Sequence, residues 1–276
     1  MFDIVPQLIA NSVIAGSIYA LLAMSFSLIY GTTKFFNLAH GVLAAIGGYA
    51  VYYFGRKLGL DLHVGAVIGV LLAALVGWAL EKFLFQPLRG RKASSMVLLV
   101  ASLGAFTAIQ AIIAILFTSQ FQTLSALAPN MGVEHIGSAV MTHIQLVILA
   151  LSVFVLVALM LTLRFTKFGR AVRAISDDEE VAKIVGIDTN KVVSRVFIIG
   201  SAIAGAAGIL VGFDTGLEPT MGLALLLKGV IAAIVGGVVS VPGAFIGAFL
   251  LGFAENFGIW NISGEWKDAI AFVILI

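Results

Sequence analysis

Leu8 to Tyr30 runs without a single charged residue. A hydrocarbon layer about 30 Å thick needs about 20 such residues in a helix, because each adds about 1.5 Å. Comparable stretches recur at about Phe35–Phe54, Val64–Phe85, Ser95–Phe117, His143–Leu163 and Val192–Phe213. In lipid every backbone amide and carbonyl must be satisfied within the chain, which leaves helices as the economical answer. The 276 residues are 61% hydrophobic and 11% charged, with mean hydropathy +1.12, which excludes a soluble domain around one core. The pattern predicts an all-α polytopic membrane protein of about eight transmembrane helices, forming a single transmembrane domain over 1–276. Met1–Ala10 lacks the basic lead of a secretory signal, so the first span is expected to be retained.

The last third is less regular. Met221–Phe257 is one apolar stretch broken near Gly236-Gly237 and Pro242-Gly243, readable as two short spans or as a re-entrant pair. Trp266-Lys267 then opens the run AIAFVILI, which reaches roughly a third to a half of a span's length by Ile276 and is expected to be an incomplete span.

The longest charged segment is Arg164–Arg195, and it must lie in water. Lys82, Arg89, Arg91 and Lys92 have to share its side of the membrane, which the positive-inside rule makes cytoplasmic. Counting back three spans puts the amino terminus outside, near Asp3. Arg56 and Lys57 then stand as a local exception on the outer side. The linker Thr118–Thr142 has no Lys or Arg and is expected to be external. Within the charged segment Ser176 reads as an N-cap, Asp177, Asp178, Glu179 and Glu180 fill a first helical turn, and Gly186 is a natural stop. A short helix over Ser176–Val185 follows, with Val181, Ile184 and Val185 on one face, suited either to solvent or to a groove on a soluble partner.

Other classes fall away on composition. Net charge is +2 without interleaved aromatic and basic residues, so nucleic acid is not an expected partner. Zero cysteines exclude disulfides and thiol chemistry, and His63, His135 and His143 are scattered, so neither metal nor other cofactor is expected on this chain. Thirty glycines against five prolines suit close helix packing. The pairs Gly65/Gly69, Gly208/Gly212 and Gly243/Gly247 read as ordinary packing motifs.

A few ionisable or polar residues inside spans stand as candidates for a translocation path. Lys228 lies seven residues into the run from Met221, where a bare cation costs roughly 2.5–3.5 kcal/mol, so it either snorkels or pairs with Asp214, Glu218 or Glu255. Asn37 and His40, three apart near the start of the second span, read as one face making an interhelix contact close to the path. Glu255 is the acid placed well within the late apolar region, as a secondary transporter would require, but no clear repeat accompanies it. No arrangement of catalytic residues suggests an intramembrane enzyme.

Three separated blocks carry a resemblance. G-S-x-Y-A-L (from Gly16), L-I-Y-G (from Leu28), N-x-A-H-G (from Asn37) and G-G-Y (from Gly47) form the first; K-F-G-R-A-x-R-A (from Lys167), E-V-A (from Glu180) and G-I-D (from Gly186) the second. The third is K-G-V-x-A-A-I-V-G-G-V-x-S-V-P-G-A-x-x-G-A from Lys228. Together they resemble the permease subunits of branched-chain amino acid ABC importers, the LivH/LivM family, and most the LivH type; the final apolar residues and basic-proline ending usual there are missing. The resemblance implies half of a translocation path in the bacterial inner membrane. It implies as partners a second permease of LivM type, two ATP-binding subunits and an extracytoplasmic substrate-binding protein. It also makes the charged segment a coupling element to the ATPase, with Asp178, Glu179, Glu180, Val181, Ala182, Val185 and Gly186 at the contact and Glu180, Val181 and Ala182 at E-A-A-like positions. The chain has no G-x-x-x-x-G-K-[ST] loop, and Gly90–Ser95 lacks that spacing, so ATP and Mg are expected on other chains. Urea or short amides remain alternative solutes, and a secondary transporter or channel the alternative of another class.

Overall fold

The computed structural model describes residues 4–127, 132–136, 138–261 and 263–275, so Asp3 lies outside the described residues. Helix α1 (Val5–Thr33) takes Pro6 in its first turn, where a missing amide proton is harmless, and closes at Lys34, whose left-handed backbone returns its amide to the Tyr30 carbonyl. Helix α2 (Ala39–Val51) is prolonged by a π-helical turn over Tyr52–Lys57. Helix α3 (Leu62–Leu80), capped by the Asp61 carboxylate, passes through a second π turn at Glu81–Phe85 into α4 (Gln86–Gly90). Helix α5 (Ser95–Phe117) follows, then the antiparallel strands β1 (Val133–Ile136) and β2 (Ala139–Thr142), and α6 (His143–Phe165). The charged segment forms α7 (Lys167–Asp177) and α8 (Glu179–Ile184) before α9 (Thr189–Asp214). Helices α10 (Met221–Gly236), α11 (Val241–Gly258) and α12 (Lys267–Leu275) complete the described chain.

Six of these helical segments are long and apolar enough to cross a bilayer, with α3 and α4 counted as one. The shorter α10 and the extended α2 bring the apolar helices to the expected eight. Burial divides them. In its apolar window α1 is 89% inside the protein against 17% for α6, so α1 is the central post and α6 faces outward. Residues Ser12 to Ser27 of α1 meet Gly252 back to Val238, which sets α11 and the turn before it antiparallel to α1.

The structure corrects the start of the second span, the shared face of Asn37 and His40 and the Ser176 cap, and adds detail elsewhere. The second span starts at Ala39 and not at Phe35: Phe35 is buried against Phe85 at 5.0 Å, which holds residues 34–38 off the helix axis. Asn37 therefore sits in the link and not on a helical face with His40. Ser176 is not an N-cap but lies inside α7; the cap is Asp178, whose extended backbone interrupts the helix and whose carboxylate accepts from the amides of Glu180 and Val181 at 2.8 and 3.0 Å. The short helix thus has six residues. The linker from Thr118 is partly built: Gln122 pairs with Leu217, Leu124 is fully buried, and the β1–β2 hairpin leads into a capping box of Thr142 and Gln145. The broken stretch from Met221 forms two helices, packed where Gly236 meets Gly243 and Gly247. Arg56 and Lys57, the exceptions to the charge rule, rest over the rings of Tyr52 and Phe117 at 5.7 and 5.8 Å.

Glycine sets the spacing of the inner helices. A methyl group on Gly208 would run into the backbone of Ala44, and one on Gly47 into that of Gly205, so α2 and α9 touch main chain to main chain. Glu81, fully buried in the π turn, is held by Arg89 of α4, which fastens that turn from within. Gly208→Leu should lower the melting temperature of the purified protein, by overpacking worth roughly 1–3 kcal/mol or more. Gly65→Ala, where a methyl would find its nearest neighbour at 3.9 Å, should leave it unchanged. Thermal unfolding in mild detergent compares the two.

Candidate functional site

Two regions gather the chain's polar side chains, one at each end of α9. At the basic end, Lys82 of the π turn lies beside Asp188, Lys191 and Arg195 at the start of α9, so the two basic segments do share a side. Here α8 is anchored by Ala182, which is buried, while Val181, Ile184 and Val185 are 53%, 82% and 69% exposed. Such an apolar face left open among Asp178, Glu179 and Glu180 has no cover among the described residues. Its end is sharply defined. Gly186 donates to the Lys183 carbonyl and Ile187 to that of Ala182, both at 3.0 Å, with Gly186 at φ +87° as this helix ending requires. Asp188 then caps α9, accepting from the amide of Lys191 at 3.1 Å and pairing with its ammonium at 2.8 Å. Those contacts, the side-chain hydrogen bond first, hold the Asp188 carboxyl below its usual range, so the cap is ionised at neutral pH and weakens only in acid.

At the other end, the outer halves of α1, α9 and α11 enclose a cavity of about 290 Å³ with the start of α6, α10 and α12. That is just below the range of roughly 300–1,000 Å³ for drug-sized ligand sites. Ile14, Ile18, Val211 and Leu225 give it an apolar wall; Asn11, Tyr19, Gln145, Asp214, Asn256 and Lys267 supply polar groups. Gln145 has two tasks: its carbonyl oxygen accepts from the Thr142 amide at 2.9 Å, and its amide donates to Asp214 at 3.0 Å. An acid and a cation thus line one small space whose wall is part polar and part apolar.

Below it is an ionic cluster. Lys228 lies 3.0 Å from Glu255 and 2.9 Å from Asp268, and it donates to the Tyr19 hydroxyl at 3.2 Å. Tyr19 donates to Glu255 at 2.7 Å, and Lys267 approaches the same carboxylate to 3.9 Å. Of the partners considered for Lys228, Glu255 is the one present; Asp214 is engaged by Gln145, and Glu218 faces Thr220. Two lysines and two carboxylates balance one another, which removes most of the cost of a bare cation in the bilayer.

Lys228 and Glu255 do not line the outer cavity; Glu255 is fully buried, and Lys228 borders a smaller pocket of about 160 Å³ with Asp268. Asn37 and His40 are buried away from that cavity, with His40 3 Å or closer to α1 through Ser25, at 2.8 Å. His40 is thus an interhelix contact. The sequence reading missed Asn11, Tyr19, Gln145, Asn256, Lys267 and Asp268. A signal existed for some: Thr142-x-x-Gln145 is a capping-box pattern, and Asp268 opens an apolar run. Among the described residues no three His, Asp or Glu gather as a metal site would require.

Span-length helices around a buried post, a small cavity at one end and an uncovered apolar face at the other describe a membrane-spanning bundle with two open polar ends. The chain belongs to the family of branched-chain amino acid transport system permease components, whose model matches residues 8–276. It is 32% identical to the high-affinity branched-chain amino acid permease LivH of Escherichia coli K12, over 98% of this chain and 91% of that one. To BraD of Pseudomonas aeruginosa, also named a high-affinity branched-chain amino acid permease, it is 29% identical over the same shares. A probable LivH of Methanocaldococcus jannaschii is 28% identical over 91% of this chain and 80% of its own. The chain is accordingly a permease subunit of the inner membrane and not an enzyme. A permease component of such a system works with ATPase and substrate-binding partners.

Replacing Lys228 alone with Met should reduce the amount of folded protein, because Glu255 and Asp268 lose their nearest cation. Lys228→Met with Glu255→Gln should recover part of that loss. Quantifying monodisperse protein after detergent extraction of both variants tests the pairing.

Proposed function

We propose that this chain forms half of the translocation path of an ATP-driven importer for branched-chain amino acids, with a second permease of LivM type as the other half. The basic end faces the cytoplasm, following the positive-inside rule. Two ATP-binding subunits, which carry the ATP and Mg, dock there on α8, while an extracytoplasmic binding protein delivers solute to the opposite end. The observation that carries the solute reading is the outer cavity, with Asp214 and Lys267 beside Ile14, Ile18, Val211 and Leu225. A zwitterion with an apolar side chain matches one acid, one cation and an apolar wall. Urea and short amides are neutral and leave both charges unanswered, which favours the amino acid.

Docking rests on the open face of Val181, Ile184 and Val185 and on the acids Asp178, Glu179 and Glu180 around it. The Gly186 corner joins this face to α9, and α9 carries Asp214 at its far end. Closure of the ATPase pair would therefore be transmitted to the cavity through one continuous helix, opening the path alternately to the two sides.

ATP-driven leucine uptake into proteoliposomes holding the whole complex, with its binding protein, tests both parts. Glu180→Lys, Ile184→Asp and Gly186→Pro should each abolish uptake with membrane insertion intact, and the ATPase subunits should be lost on purification; normal uptake would remove the docking assignment. Asp214→Asn should keep the complex assembled and reduce uptake about tenfold or more, as loss of one charge-assisted contact of about 1.5–3 kcal/mol requires. Unaltered uptake would move the solute elsewhere in the path while leaving the importer reading in place.

A further inference from the structure

At the basic end a groove of about 470 Å³ runs between the end of α3 with its π turn and the start of α9. It is graded along its length. Lys82, Lys191 and Arg195 stand toward the helix ends, whereas Trp78 and Ile198 lie about one to two turns further into the bundle along their helices. Asp188 is the one acid that lines it, and its carboxylate is taken by Lys191 at 2.8 Å. Among the described residues neither Lys82 nor Arg195, both exposed, has an ion-pair partner, so both are free to meet an anion. Gln86 adds an amide beside them.

The flank of the groove is apolar and outward. Phe83 is 73% exposed and meets the Trp78 ring edge-on at 6.1 Å, and Ile198 is 38% exposed. A half-buried Trp beside an exposed Phe, next to lysine and arginine, is the composition of a membrane interface, where an aromatic belt sits at headgroup depth. A soluble anion would use the cations and leave this flank bare. A phospholipid uses both, with its phosphate against Lys82 and Arg195 and the first methylenes of its chains along Trp78 and Ile198.

We infer that this groove is a binding site for an anionic phospholipid of the leaflet on the basic side. The inference rests on the orientation of the chain in the bilayer and is independent of which solute is carried. It gives Lys82 and Arg195 a role beyond marking the cytoplasmic side, since a topology signal needs charge but no groove.

The test uses the whole complex in nanodiscs of phosphatidylcholine with a minor fraction of phosphatidylglycerol, and reads phosphatidylglycerol retained on the protein by native mass spectrometry. Lys82→Gln with Arg195→Gln should weaken retention roughly 30-fold, as two interfacial charges are expected to contribute. Lys82→Arg with Arg195→Lys should retain it, which separates charge from misfolding. Arg91→Gln with Lys92→Gln, exposed at the same end but outside the groove, should have no effect. Unchanged retention in the first variant, or an equal loss in the Arg91 and Lys92 variant, would overturn the site. Displacement of the lipid by millimolar inorganic phosphate would reduce it to an anion site. Loss of the ATPase subunits with lipid retention intact would give the groove to a protein partner instead.

Discussion

The backbone of α2 meets that of α9 with no side chain between them, at Gly47, Gly205 and Gly208, and the rest of the bundle is arranged around this approach. Inside a bilayer the hydrophobic effect does not drive helices together, because lipid tails are as apolar as leucine. Contact area and close packing must do it, and they are greatest where the chains carry no Cβ. Gly69 extends the same seam by bringing α3 against the Gly47 carbonyl, and Gly252 lays α11 on Ser12 and Gly16 of the central post. The apolar sequence thus says only that helices will cross; the glycines say which of them touch.

The charged groups inside this packing are gathered where they answer one another. Lys228, Glu255, Asp268 and Tyr19 draw α1, α10, α11 and α12 together through charge where packing alone would be unselective. Glu81 and Arg89 do the same for the π turn. Serines follow a local rule: Ser12 and Ser17 return their hydroxyls to carbonyls one turn earlier, so they cost little in a span. The outer cavity follows the same rule while leaving an open space, since Gln145 answers Asp214 and Tyr19 answers Glu255 at its wall.

Much of this was legible beforehand. Apolar run lengths located the spans, and Gly65/Gly69, Gly208/Gly212 and Gly243/Gly247 read correctly as packing motifs, although Gly65 itself makes the loosest contact. The short helix inside the charged segment is legible, but its cap reads two residues early at Ser176, because a run of four acids does not show that Asp178 is the one to adopt an extended backbone. Phe35 pulled Asn37 off the helix through a contact with Phe85, fifty residues away in sequence and invisible to periodicity. The cavity was hidden for the same reason. Asn11, Gln145, Asp214 and Lys267 come from four segments, and each alone looks like a span end reaching for water.

Helix α9 runs unbroken from just after the Gly186 corner to the cavity, 26 residues or about 39 Å. Its backbone meets that of α2 at Gly205 and Gly208, about two thirds of the way along. A rod pinned off-centre works as a first-class lever with arms near two to one. On the proposed roles of its two ends, a push at the Gly186 corner would arrive at Asp214 reversed in direction and about halved in size, trading distance for force.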